Sequence, residues 1–229
     1  MDKRRLLIPL VIVVALIAAV VIGGPLVYAA VTPKAQDPFS VTAATGAAAS
    51  TTPRPASADN GTWGVASGSQ AGYTVNEVLN GKALAVVGRT DKVTGSASVA
   101  GGKLTGATVT VDAGSIATDS TGRDNYFRFT VISAGKYPQA TFALGAPVAL
   151  PDLGGQPVDV TVPGTLSLAG ETRSVSADVK VVRDGDRIAA AGSIPIAVKD
   201  FGIDPPNLGF VKVEDHALVE FRVNLAQAG

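Results

Sequence analysis

The chain of 229 residues sets 19 Lys and Arg against 19 Asp and Glu, and it contains no cysteine and a single histidine. That balance removes the basic excess that draws nucleic acid and the acidic excess that gathers cations. Without thiols or a second imidazole, disulfides, cysteine nucleophiles and nearly all zinc-type ligand sets also fall away, so no catalytic residue, metal ligand or cofactor is assigned and the chain is not read as an enzyme.

Lys3, Arg4 and Arg5 precede a run from Leu6 to Val31 that carries no charge and is rich in Leu, Ile, Val and Ala. A bilayer span needs about 20 apolar residues, and flanking positive charge stays on the cytoplasmic side. Residues 1–31 are therefore expected to form a single-pass membrane anchor that leaves the rest of the chain extracytoplasmic. The small-residue pattern Val27-Tyr28-Ala29 gives the alternative, cleavage after Ala29 and secretion. Residues 32–60, rich in Pro, Ala, Ser and Thr with one aromatic, read as a linker. As flexible coil it would reach on the order of 30 Å.

From residue 61 to 229 the apolar period is two. Tyr73 and Val75 alternate, as do Val93 to Val99, Ala107 to Val111, Val158 to Val162, Leu166 and Leu168, Val175 to Val181, Ile194 to Val198, and Val219 to Val223. Each run reads as a half-buried strand. Gly101-Gly102 and Asp184-Gly185 fall between such runs as hairpin turns, so about eight largely antiparallel strands are expected and the fold class is all-β. Small inward side chains suit a ligand-holding barrel, whereas a sandwich fills its own core, and composition leaves both open. Pro163 and Pro195 interrupt alternation and mark edges or bulges.

The stretch TGRDNYFRF, residues 121–129, concentrates charge and aromatic rings in an otherwise pale domain. As a helix, Thr121 would cap it and Asp124 would complete the capping box. As a strand, Phe127, Phe129 and Val131 share one face, and this period-two fit is the tidier.

Around this stretch the landmarks Arg123-Asp124, Tyr126 to Phe129, Tyr137-Pro138, Thr141-Phe142, Gly164-Thr165-Leu166 through Gly170-Glu171-Thr172-Arg173, and Asp200-Phe201-Gly202-Ile203 follow one another. In that order and spacing the region from about 61 to 225 resembles the YceI-like family. The resemblance implies a lipocalin-like antiparallel barrel with a short helical segment at the Arg-Asp pair, against the strand reading. It also implies an interior that holds an isoprenoid-type lipid, polyprenyl or quinone, for carriage or sequestration. Its candidate ligand-binding residues are Tyr126, Phe127, Phe129, Val131, Phe142, Leu166, Leu168, Phe201 and Ile203, with Arg123 at the head group. The family's early histidines have no counterpart in residues 66–99.

Plainer roles stand beside these. Arg123 and Asp124 serve as cap and ion pair, the aromatics plug the barrel end, Arg173 is an exposed charge, Asp200 belongs to a turn, and His216 sits in a hairpin turn between two runs. A surface interaction module with a self-filled core is the alternative function, and a hydrolase on the same scaffold lacks a titratable cluster to carry it. Homodimerisation is left open.

Overall fold

The computed structural model describes residues 37–41, 52–79, 81–207, 209 and 211–228. The proposed anchor, residues 1–31, and linker positions 32–36 and 42–51 lie outside them. Among the described residues no helix is long and apolar enough to cross a membrane.

The strands are β1 (Gly61–Val65), β2 (Gln70–Leu79), β3 (Lys82–Thr90), β4 (Val93–Ala100), β5 (Lys103–Asp112), β6 (Gln139–Leu144), β7 (Val148–Ala149), β8 (Val158–Leu168), β9 (Glu171–Asp184), β10 (Arg187–Ala197) and β11 (Val211–Gln227). All pairings are antiparallel, in the order β1-β4-β5-β6-β8-β9-β10-β11, and β11 returns to β1 through Trp63↔Gln227, Gly64↔Ala226 and Val65↔Leu225. Eight strands thus close a barrel with no free edge at that level. The fold is the lipocalin-like barrel, not the sandwich.

β11 is long enough to serve two partners on one edge. Residues 225–227 hold β1, whereas Val211 to Arg222 hold β2, and β2 carries β3 outward. The barrel is consequently tight at the β1 end, the base, and splayed at the other, the mouth. The splayed side is closed by the segment after β5: Ala117 bridges Arg89 of β3, and Thr90 Oγ1 lies 2.6 Å from Ser115 Oγ. Helix α1 (Thr121–Tyr126) follows and runs on into a π-helical turn, Phe127–Val131.

Residues 123–128 are therefore helical, as the family resemblance implies and against the alternation. The cap is Ser120, one residue before the expected Thr121, with its side chain accepting from Arg123 N at 3.4 Å. Asp124 Oδ1 reaches back to Thr118 instead, accepting from N at 2.8 Å and from Oγ1 at 2.7 Å. Local capping chemistry outweighs a period-two pattern only six residues long.

Other landmarks are packing partners. A side chain at Gly164 would place Cβ 2.4 Å from Phe142 Cζ, so its absence makes room for that ring. Gly170, at φ +89 in the β8–β9 turn, faces the Tyr137 ring in the same way. Pro163 and Pro195 sit where hydrogen bonding to one neighbour has stopped, since β6 pairs with β8 only from Gly164 and β9 pairs with β10 only to Ser193. The missing amide proton is thereby harmless. His216 is not in a hairpin: β11 runs through it, and a bulge between Val213 and Ala217 interrupts the pairing with β2. Leu166 and Leu168 belong to the same strand as Val158 to Val162, which runs through Pro163 without a break in its pairing to β9.

Segments read as linker also pack. Arg54 bridges Leu153, and Ala56 and Asp59 are buried, so the folded unit starts before residue 61. Asp59 is ion-paired with Arg183, both almost fully buried, and the Asp59 carbonyl accepts from Trp63 Nε1 at 2.9 Å. Further out, Arg89 lies over the Phe39 ring at 4.1 Å and donates to the Asp37 carbonyl.

The buried pair at the base generates a stability prediction. Arg183→Leu leaves the Asp59 carboxylate dry and unpaired, and the expected loss is about 3–5 kcal/mol in urea unfolding. Combining it with Asp59→Leu recovers most of that loss; a single variant as stable as the parent would show that the pair does not hold the base.

Candidate functional site

Strand alternation decides what the barrel encloses. On β2 the residues Ala71, Tyr73, Val75 and Glu77 face inward, on β8 Val160, Val162, Leu166 and Leu168, and on β11 Ala217, Val219, Phe221 and Val223. Most are small, so the opposing walls do not meet. A cavity of about 300 Å³ lies beneath α1 at the mouth. A second, of about 180 Å³, continues toward Trp63, Leu153 and Ile188 at the base. Ala71, Val111, Ala140, Leu166 and Val219 line both, so the two chambers meet at a common waist.

Of the expected residues, Arg123, Tyr126, Phe127, Val131, Leu168 and Ile203 line the mouth chamber, Phe142 the base chamber, and Leu166 the waist. Two lie elsewhere. Phe129 is 68% exposed, because the helical turn rotates it away from the inward face that a strand would have given it. Phe201 is buried in the core cluster next to Val198 and Ile203 and lines neither chamber.

Charged side chains line the mouth chamber at Arg123, Glu77 and Glu214, and the base chamber at the buried Glu220, whose carboxylate accepts from Thr74 Oγ1. Arg123 Nη2 is 3.3 Å from Glu77 Oε1, with side chains 17% and 8% exposed, and Nη1 pairs with Asp119. Both roles weighed for Arg123, ion pair and cavity wall, are thus filled by one side chain. Phe127 stacks on Tyr73 with ring centroids 4.9 Å apart. Burial is the largest influence on the Tyr73 phenol and pushes its pKa well above the ordinary value; Arg123 opposes this, while Asp124, Glu77 and Asp119 add to it. The hydroxyl therefore stays protonated and available as a donor. Arg173 by contrast pairs with Glu171 at 2.9 Å at the exposed start of β9 and lines neither chamber, and such a pair contributes little.

Tyr73, Glu77 and Glu214 are site residues that the sequence reading passed over. The alternation Tyr73, Val75, Glu77 already put a carboxylate on an apolar face, which is a readable signal. Glu214 had none: it faces the cavity because the β11 bulge resets the alternation there.

The raised Tyr73 pKa fixes the sign of a pH effect. The folded state holds the phenolic proton beyond the unfolded value, so this contribution to stability is present below about pH 10 and is lost as pH rises above it. Urea midpoints should fall more steeply above pH 10 in the parent than in Tyr73→Phe; parallel curves would contradict a buried phenol.

The geometry has counterparts. A polyisoprenoid binding domain from Saccharophagus degradans, implicated in plant cell wall breakdown, superposes with a TM-score of 0.59 at 19% identity, covering 72% of this chain and 98% of that one. Burkholderia cenocepacia BcnA superposes with a TM-score of 0.53 at 22% identity, covering 66% and 95%. At these identities the likeness speaks for the fold. No curated protein matches the chain. The YceI-like domain model matches residues 65–225, most of the barrel from β1 to β11, and the chain belongs to that family.

Proposed function

We propose that the protein is an extracytoplasmic binding protein that holds a long-chain isoprenoid lipid, polyprenyl or quinone, in the barrel for carriage or sequestration. The observation that carries this reading is the pair of connected, apolar-walled chambers. An empty space of that kind inside a closed barrel is stabilised by filling it with apolar chain, at about 25 cal/mol per Å² removed from water. The shared residues of the waist are all apolar, which suits a hydrocarbon chain lying through both chambers, and the cluster of Arg123, Glu77 and Glu214 at the mouth suits a ligand with one polar end. Family membership agrees, as does the polyisoprenoid binding ascribed to the Saccharophagus degradans domain. Binding of this kind needs no reaction. Residues 1–31 would tether the barrel to the outer face of the membrane that supplies such lipids.

Native mass spectrometry of the detergent-solubilised full chain, followed by organic extraction, tests the proposal. A stoichiometric adduct with the mass of a quinone or polyprenyl lipid is expected. An apo mass that persists after incubation with menaquinone, polyprenol and polyprenyl phosphate would overturn it in favour of a surface interaction module.

The waist makes a sharper demand. Val219→Trp inserts a large ring where the chambers meet, and it should weaken binding of a long chain by at least about tenfold while sparing a short one that fits the mouth chamber alone, since a lost apolar contact of ~1.4 kcal/mol is a factor of ten. Equal loss for both lengths would show that the chambers are not used in series.

A further inference from the structure

The mouth chamber carries a charge pattern that bears on which polar end the lipid has. Among the described residues that line either chamber, Arg123 is the one cation. It is already committed to Glu77 and Asp119. Glu214 lines the same chamber, accepting from Asn76 Nδ2 at 3.1 Å, and Asp124 lies close enough to act on the Tyr73 phenol. Among the residues that line it, the mouth therefore sets one formal positive charge, Arg123, against two negative ones, the buried Glu77 and the exposed Glu214.

A phosphate or diphosphate entering this mouth would meet net repulsion. To bind it, Arg123 would have to leave Glu77, whose side chain is 8% exposed, and a carboxylate stranded at that depth is costly. An uncharged oxygen avoids both penalties. Tyr73 lines the same chamber, its ring stacked on Phe127, and its buried phenol keeps a proton to donate to such an oxygen.

We infer that this mouth selects isoprenoid lipids with an uncharged, hydrogen-bond-accepting head, a quinone carbonyl or a free alcohol, and excludes their phosphorylated forms, with Glu77 and Glu214 as the excluding residues and Tyr73 as the donor. The inference rests on the lipid-binding reading above and narrows it.

The test is competition. The full chain in detergent is incubated with menaquinone, undecaprenol and undecaprenyl phosphate in equal amounts, and adducts are counted by native mass spectrometry. Neutral adducts should exceed the phosphate by about tenfold or more, the factor expected for one like-charge contact near a low-dielectric wall. The two neutral arms then separate quinone from alcohol. Glu214→Lys, on the rim and outside the Arg123 ion pair, should bring the phosphate to within about threefold of the neutral lipids, and Glu77→Gln with Glu214→Gln should act in the same direction. Tyr73→Phe should weaken the neutral lipids alone. A parent that takes the phosphate equally or preferentially, or a ratio unmoved by Glu214→Lys, overturns the inference while leaving lipid binding intact. Absence of every adduct overturns the lipid-binding reading, and the inference with it.

Discussion

Everything distinctive about this barrel follows from one strand with two partners on the same edge. β11 spends its last residues on β1 and the rest on β2. A sheet cannot close on both at once, so the ring shuts at the level of Trp63 and opens where β11 pairs instead with β2, which carries β3. Had β11 ended at Arg222, the wall would have no closure and β1 would present an edge to solvent. The gap left at the mouth is what α1 and its approach segment fill, held by the Arg89–Ala117 bridge below and the Tyr73–Phe127 stack within.

The interior stays open because the inward positions are small and the ends are held by something other than apolar packing. At the base, the inward Trp63 indole closes the cavity and donates to the Asp59 carbonyl, and Asp59 is in turn ion-paired with Arg183. At the mouth, Arg123 is gripped by carboxylates from β2 and from the helix approach. Between them lies an apolar channel. Charges buried this way stabilise little in net terms, but they fix where strands and helix must meet, and they confine polarity to the two ends.

Much of the fold was legible, and the exceptions have physical causes. β2, β4, β5, β8, β9, β10 and β11 each show period-two alternation strong enough to read, and the Gly-rich turns between them have the right chemistry. β1, β3 and the two-residue β7 were missed. β1 is five residues with a single large inward side chain, Trp63, and β3 joins β2 across a turn centred on Gly81 with Ala and Val on both faces. The helix over 121–126 ran against its own alternation and was found only through the family landmarks. Composition marked 52–60 as linker because a Pro- and Ala-rich segment that packs by a buried salt bridge looks, in sequence, like one that does not pack at all. In the site, the strand positions Leu166 and Leu168 could be anticipated from alternation, and Phe142 from the family landmarks. Phe129 and Glu214 could not, since a helix in one case and a bulge in the other changed which way the side chain points.

The central claim is that a chain can lie from the Tyr73 mouth through the Leu166 waist to the base. Trp63, the sole tryptophan, marks that base from inside the cavity wall. The most direct measurement is its fluorescence in the full chain with two isoprenoids of equal length, one carrying a nitroxide quencher at the head and one at the tail. The account predicts strong quenching by the tail label and little by the head label. Equal quenching, or none from either despite binding, would place the lipid elsewhere and contradict it.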